Sequence, residues 1–278
     1  MIITDEFGLA FIHIPKCAGS SVRRGQLERF DGRDGYYRER VGEHPKLGRI
    51  DFTHIPLFVL RGYFPDEFEL LKTYKTFAIV RDPYKRFQSS VSQYFKMYRK
   101  KHIRTFSPRE ICDEAARIVD TLTNFQAKGN RYLPPEYIHF QRQVDYIRDN
   151  GNRLVKNLYD VDNTNQLIDD FFACAGQQRP QEAEDEQRKA NRSMVYKNDL
   201  IRITMEGVKP IAGPMLRAVL SKECRDQLRN NISTPRSERL ANIFESDRIQ
   251  KFVESYYRDD IELVSDVKRE ATTKPRSA

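Results

Sequence analysis

Leu9-Ala10-Phe11-Ile12-His13-Ile14, running into Pro15-Lys16-Cys17-Ala18-Gly19-Ser20-Ser21, is the stretch on which the fold turns. The first six residues read as a buried strand and the chain after Ser21 reads as helix, so Pro15–Ser21 is a strand-to-helix turn. Small residues at such a turn let several backbone N–H groups converge on an anion, and the helix adds the positive end of its dipole. Lys16 brings a full charge beside it. In the nucleotide-triphosphatase loop, G-x-x-x-x-G-K-[ST], the lysine follows the second glycine. Here Lys16 precedes Gly19, the only glycine of the turn. That order implies a different phosphate ligand.

A second turn repeats the logic. Thr76-Phe77-Ala78-Ile79-Val80 is a compact buried strand, and Arg81-Asp82-Pro83 leads it into a helix reaching about Tyr98. Asp82 is the expected N-cap and Pro83 the first helical residue. Arg81 stands at the strand end, with Ser89 about two turns into the helix. A guanidinium with paired N–H donors and a hydroxyl together suit one phosphate. Open α/β sheets bind ligands at the carboxyl ends of their strands. A ligand touching both turns therefore carries anionic groups at two separate places.

The rest of the chain extends this pattern. A helix is expected over about 19–30, then irregular surface over 31–50, then an apolar stretch from Phe52 to Leu60 that carries His54. Ser107-Pro108-Arg109-Glu110 is a capping box opening a helix to about Ala127. A short strand at Arg153–Lys156 and a helix over Asn163–Ala175, closed by Gly176, follow. Residues 177–192 read as a solvated loop. Two further helices are expected, one within about 214–230 and one over about 236–262. Strands alternating with helices predict an α/β fold with a parallel sheet covered on both faces. One domain over 1–267 is expected, with surface insertions at about 31–50, 100–135 and 177–192 and a disordered tail over 268–278.

Composition narrows the partners. The formal charge of +8 and a pI near 9.2 give a surface that attracts anions: nucleic acid, a nucleotide or an acidic glycan. No run approaches the roughly 20 apolar residues of a membrane span, and Met1–Glu6 lacks the pattern of a secretory signal. Cys17, Cys112, Cys174 and Cys224 are widely separated without a C-x-x-C pair, which fits a reducing compartment. His13, His44, His54, His102 and His139 lack metal-ligand spacing, so no metal is expected. A soluble, cytoplasmic protein is the expectation.

Ile14–Ser21 resembles the 5′-phosphosulfate loop of sulfotransferases, I-P-K-x-A-G-[TS]-S, and Val80-Arg81-Asp82-Pro83-Tyr84-x-Arg86-Phe87-x-Ser89 is similar to their 3′-phosphate motif. His139-Phe140-Gln141-Arg142-Gln143 is similar to the His-aromatic-x-Pro-Gln stretch of the carbohydrate (Golgi-type) sulfotransferases, with Arg142 in place of the proline. Asn191-Arg192-Ser193 and the stretch Tyr256–Leu263 resemble later segments in the expected order. The resemblance implies a P-loop-like three-layer sandwich with a central parallel sheet flanked by helices. It implies 3′-phosphoadenosine 5′-phosphosulfate (PAPS) as donor, adenosine 3′,5′-bisphosphate as product and no metal, and the lack of an anchor segment adds the expectation of a soluble, microbial enzyme. Pro15, Lys16, Cys17, Ala18, Gly19, Ser20 and Ser21 would then line the 5′ site, Lys16 neutralising the departing oxygen. Arg81 and Ser89 would hold the 3′-phosphate, and Arg192 would add to the donor site.

His54 is the first candidate for the base that takes the acceptor proton, since imidazole titrates near neutrality. Glu43 and His139 stand in reserve, and His13 reads as structural. Arg86 is either a ligand contact or a structural ion-pair residue, and Asp259, Asp260 and Glu262 read as structural. The acceptor is a hydroxyl, first of all of a carbohydrate by the resemblance, with a lipid head group, a small metabolite and a polyketide-like hydroxyl left open by the sequence. Two other classes are set against this reading. A nucleotide kinase or triphosphatase lacks its G-x-x-x-x-G-K-[ST] order, and a basic nucleic-acid-binding protein would rest on charge and the stretch Tyr94–Arg104 alone.

Overall fold

The computed structural model describes residues 1–32, 41–99, 103, 106–180, 194–196, 233–235 and 240–273. In chain order the first half holds β1 (Ile2–Thr4), β2 (Leu9–Ile12), α1 (Gly19–Val22), β3 (Gly42–His44), β4 (Gly48–Ile50), α2 (Leu57–Tyr63), α3 (Pro65–Thr73), β5 (Lys75–Val80) and α4 (Pro83–Tyr98). Then come α5 (Pro108–Ala127), β6 (Arg148–Asp149), β7 (Asn152–Arg153), β8 (Asn157–Asp160), α6 (Thr164–Cys174), β9 (Met194–Tyr196) and β10 (Ser233–Pro235). Two helices, α7 (Asp247–Tyr256) and α8 (Arg258–Thr273), follow.

The central sheet has the order β1-β2-β5-β8. The strands β2, β5 and β8 are mutually parallel, with Ile12 opposite Ala78 and Val80 opposite Asp160. From Thr76 to Val80 every residue of β5 is buried, as expected of a strand with helices on both faces. Phe77 lies 5.2 Å from Phe171 of α6 and 6.5 Å from Tyr159 of β8. Leu263, Val264 and Val267 of α8 join the same core. A second core gathers Phe87, Val91 and Phe95 of α4 with Ile118 and Leu122 of α5 and Phe252 of α7.

Local chemistry accounts for the element boundaries. Asp82 Oδ1 accepts the Lys85 N–H at 2.9 Å and opens α4, which ends at Tyr98 as predicted. Ser107 and Glu110 form the reciprocal capping box, at 3.2 and 2.7 Å, and α5 runs to Ala127. Gly176, at φ +64°, closes α6. The helical path over 19–30 begins as α1, widens over Arg23–Leu27 and tightens over Glu28–Phe30.

Five expectations are corrected. An antiparallel edge strand, β1, precedes the first predicted strand. That strand stops at Ile12, leaving His13 and Ile14 to the turn. Within 31–50, which read as irregular, β3 and β4 form a hairpin turning over 45–47, with Gly48 at φ +66° opening β4. The strand expected at 153–156 pairs with β5 only from Asn157. The reason is Thr76, whose hydroxyl donates to Leu154 O and accepts from Lys156 N–H, each at 2.9 Å, where ladder bonds would otherwise stand. Finally, the helix expected over 236–262 is broken at Tyr257, and α8 continues to Thr273 rather than fraying at 268. The predicted helix within 214–230 lies outside the described residues, as does most of the 177–192 loop. Among the described residues no helix is long and apolar enough to cross a membrane.

Candidate active site

The turn after β2 is strained in a way its sequence hides. Lys16 and Ala18 both adopt left-handed backbone conformations, at φ +64° and +59°, each costing a non-glycine residue roughly 1–2 kcal/mol. Ala18 O accepts the N–H groups of Ser21 and Val22, at 2.9 and 3.2 Å, and so starts α1. Among the described residues the N–H groups of Ala18, Gly19 and Ser20 have no backbone partner. Left-handed residues placed between right-handed ones turn successive amides toward one point, which makes an anion-binding concavity. Strain of this kind persists where a site needs it.

Gly19 is required for close packing rather than for an unusual φ. A Cβ there would stand 2.1 Å from His13 Cδ2 and 2.4 Å from Nε2. Gly19→Ala is therefore expected to destabilise the protein by about 1–3 kcal/mol, read as a lower midpoint in thermal unfolding. Adding His13→Ala to Gly19→Ala should recover part of that loss. A midpoint unchanged in the single variant would show that the ring does not press on this turn.

The two turns meet. Because β2 and β5 are adjacent and parallel, their carboxyl ends lie side by side, about 4.8 Å being the usual strand spacing. Arg81 Nη1 donates to Lys16 O at 3.2 Å, and Arg81 Nε is buried with no partner among the described residues. Lys16 Nζ donates to Gln93 Oε1 at 3.2 Å. Gln93 is one turn beyond Ser89, so both occupy the same side of α4, the side toward Lys16. Pro15 is buried, Ser20 is exposed and Ser21 is half-buried. Arg192 lies outside the described residues.

Cys17 faces inward. Its Sγ donates to Gln143 Oε1 at 3.2 Å, and burial pushes the thiol pKa up to about 12 despite Arg86, Arg81 and Lys16 nearby. At neutral pH it is a thiol and not a nucleophile.

His54 packs against His13, only 3% exposed. Its Nδ1 is 3.1 Å from His13 O; a carbonyl only accepts, so Nδ1 carries the proton and Nε2 the lone pair. The His54 ring is 4.6 Å from His13 and 5.5 Å from His139. Thus His13, which read as merely structural, bridges Gly19 and His54. Of the reserve bases, His139 meets the His54 ring edge-on in the same cluster, while Glu43 is exposed on the β3–β4 hairpin.

Arg86, left open by the sequence, is a structural residue. It is fully buried, 3.5 Å from Asp260, and lies over the Tyr257 ring at 5.0 Å. Burial raises the Asp260 carboxyl pKa, while Arg86 and the N–H groups of Gln143 and Val144, each at 2.9 Å, favour its charged form. Two residues of the site carried no signal of their own in the sequence. Gln93 is the partner of Lys16, and Gln143 bonds to both turns: its Oε1 accepts Arg81 N–H and its Nε2 donates to Arg81 O, each at 2.9 Å. Gln143 stands in a segment singled out by resemblance, but a glutamine alone does not announce a role.

Among the described residues no group of His, Cys, Asp or Glu could hold a metal ion. The model of the sulfotransferase family matches residues 1–264, which include both turns and α1 through α7. No curated protein and no solved structure matches the chain.

Proposed function

The chain belongs to the sulfotransferase family, and from that premise we propose that it transfers the sulfuryl group of PAPS to a carbohydrate hydroxyl by direct in-line displacement. The observation carrying this reading is the side-by-side placement of two cation-bearing turns that each hold donors with no partner among the described residues: the amides of Ala18, Gly19 and Ser20 at one, Arg81 Nε at the other. A donor with phosphates at two places fits that pair. The protein's formal charge of +8 suits an anionic donor and an acidic glycan.

The amides of the first turn, with the hydroxyls of Ser20 and Ser21, hold the 5′-phosphate. Arg81 and Ser89 hold the 3′-phosphate. Lys16 neutralises the bridging oxygen as its bond to sulfur breaks and the acceptor oxygen bonds to sulfur. His54 receives the acceptor proton on Nε2, the nitrogen that its bond to His13 O leaves as the base. Sulfuryl transfer, like phosphoryl transfer, needs alignment and electrostatic stabilisation more than covalent chemistry. The four cysteines are widely separated in sequence without a C-x-x-C pair, which favours a reducing compartment, and we assign the protein to the cytoplasm.

Incubation with radiolabelled PAPS and a panel of glycans tests the reaction: label should move to at least one hydroxylated sugar. Label remaining wholly in the nucleotide across neutral and acidic glycans would count against a carbohydrate acceptor. His54→Gln is expected to lower transfer by about 10²–10⁴-fold, with affinity for adenosine 3′,5′-bisphosphate unchanged. Retained transfer would remove His54 as the base.

A further inference from the structure

We propose that Gln143 is a positioning residue that sets the separation of the two phosphate-holding turns, an inference that rests on the donor reading above. The last paired residues of β2 and β5 are Ile12 and Ala78. Beyond them, side chains must hold the turns in register, and the side-chain amide of Gln143 does so. Its Oε1 accepts from Cys17 Sγ at 3.2 Å and from Arg81 N–H at 2.9 Å. Its Nε2 donates to Arg81 O at 2.9 Å. The amide orientation is unambiguous, because a backbone N–H only donates and a carbonyl only accepts. One planar group therefore bonds Cys17, between the two left-handed residues, and Arg81, the guanidinium carrier.

The clamp is itself anchored. Gln143 is 0% exposed, and its N–H, with that of Val144, rests on the two carboxylate oxygens of Asp260 at 2.9 Å each. Asp260 pairs with Arg86 of α4, the helix that also carries Ser89. Both turns and α4 are thus referred to one buried residue. Being buried, Gln143 acts through Cys17 and Arg81, not by touching the nucleotide.

The physical consequence concerns ligands held at two points. Binding at the second point gains from binding at the first only when the separation of the two sites matches the ligand. Loss of the clamp should therefore reduce the advantage of a bisphosphate over a monophosphate, and leave one-point binding nearly intact. Damage to folding alone would weaken both nucleotides by the same factor.

Calorimetric titration of the full chain with adenosine 3′,5′-bisphosphate and with 5′-AMP separates these outcomes. The wild-type protein should prefer the bisphosphate by about 10²-fold or more. In Gln143→Met, of similar length and without the amide, that preference should fall by about tenfold while 5′-AMP affinity changes by less than about threefold. Cys17→Ala removes the bond from Gln143 to the first turn, with the weaker contact of the thiol to Pro15 O at 3.5 Å, and keeps the measurement possible if Gln143→Met does not fold. It should lower the preference by about threefold, with 5′-AMP again little changed. A preference kept at its wild-type value in either folded variant, or equal weakening of both nucleotides, overturns the clamp. Absence of any preference in the wild-type protein would instead overturn the donor reading, and the clamp with it.

Discussion

Lys16→Ala is expected to lower turnover by about 10²–10³-fold while weakening adenosine 3′,5′-bisphosphate by less than about tenfold. The asymmetry follows from where charge develops. The bridging oxygen gains its negative charge only as the bond to sulfur breaks, so a cation aimed at it acts mainly in the transition state. Lys16 has a left-handed backbone, φ +64°. Its ammonium reaches across to Gln93 on the side of α4 that carries Ser89. Alanine meets a similar backbone cost at this φ, so the substitution tests the ammonium and not the turn. Single-turnover kinetics beside nucleotide titration gives the comparison. Equal losses in rate and in affinity would make Lys16 a binding residue only.

Arg81→Ala is expected to weaken adenosine 3′,5′-bisphosphate by about 10²–10³-fold and 5′-AMP by less than about tenfold. Two charge-assisted hydrogen bonds at about 1.5–3 kcal/mol each are at stake. The guanidinium is held by one bond, from Nη1 to Lys16 O at 3.2 Å, while Nε is buried without a partner among the described residues. Such an arrangement is costly without a ligand and is relieved by an anion. Because the same side chain also fixes Lys16 O, turnover at saturating donor should fall as well. Unchanged bisphosphate affinity would remove Arg81 as the 3′ anchor.

The fold and the two turns were partly legible in the sequence, and the boundary of legibility has physical causes. Local chemistry was readable where one residue and its near neighbours determine the outcome. Asp82-Pro83 and the Ser107/Glu110 box fixed helix starts, Gly176 a helix end, and both strand-to-helix turns stood out by their small and basic residues. What depends on partners far along the chain was not readable. The Thr76 hydroxyl displaces the pairing of β8 by bonding residues nearly 80 positions away. The bond between Gln143 and Cys17 spans 126 positions.

The glycine of the first turn shows a subtler gap. Gly19 marks the motif, yet the positive φ angles fall on Lys16 and Ala18, and Gly19 is small because the His13 ring occupies its side-chain space. Sequence identifies the residue type and leaves its reason to the packing. Likewise Arg86, Asp260 and Tyr257 form one buried assembly. Their charges alone suited either a ligand contact or a structural pair, and burial decides between them.

The most direct test is a crystal structure of the protein soaked with adenosine 3′,5′-bisphosphate. The nucleotide should lie across the ends of β2 and β5, its 5′-phosphate on the amides of Ala18, Gly19 and Ser20 and its 3′-phosphate on the Arg81 guanidinium. Nucleotide density elsewhere on the protein, or only one phosphate engaged at these turns, would contradict the account.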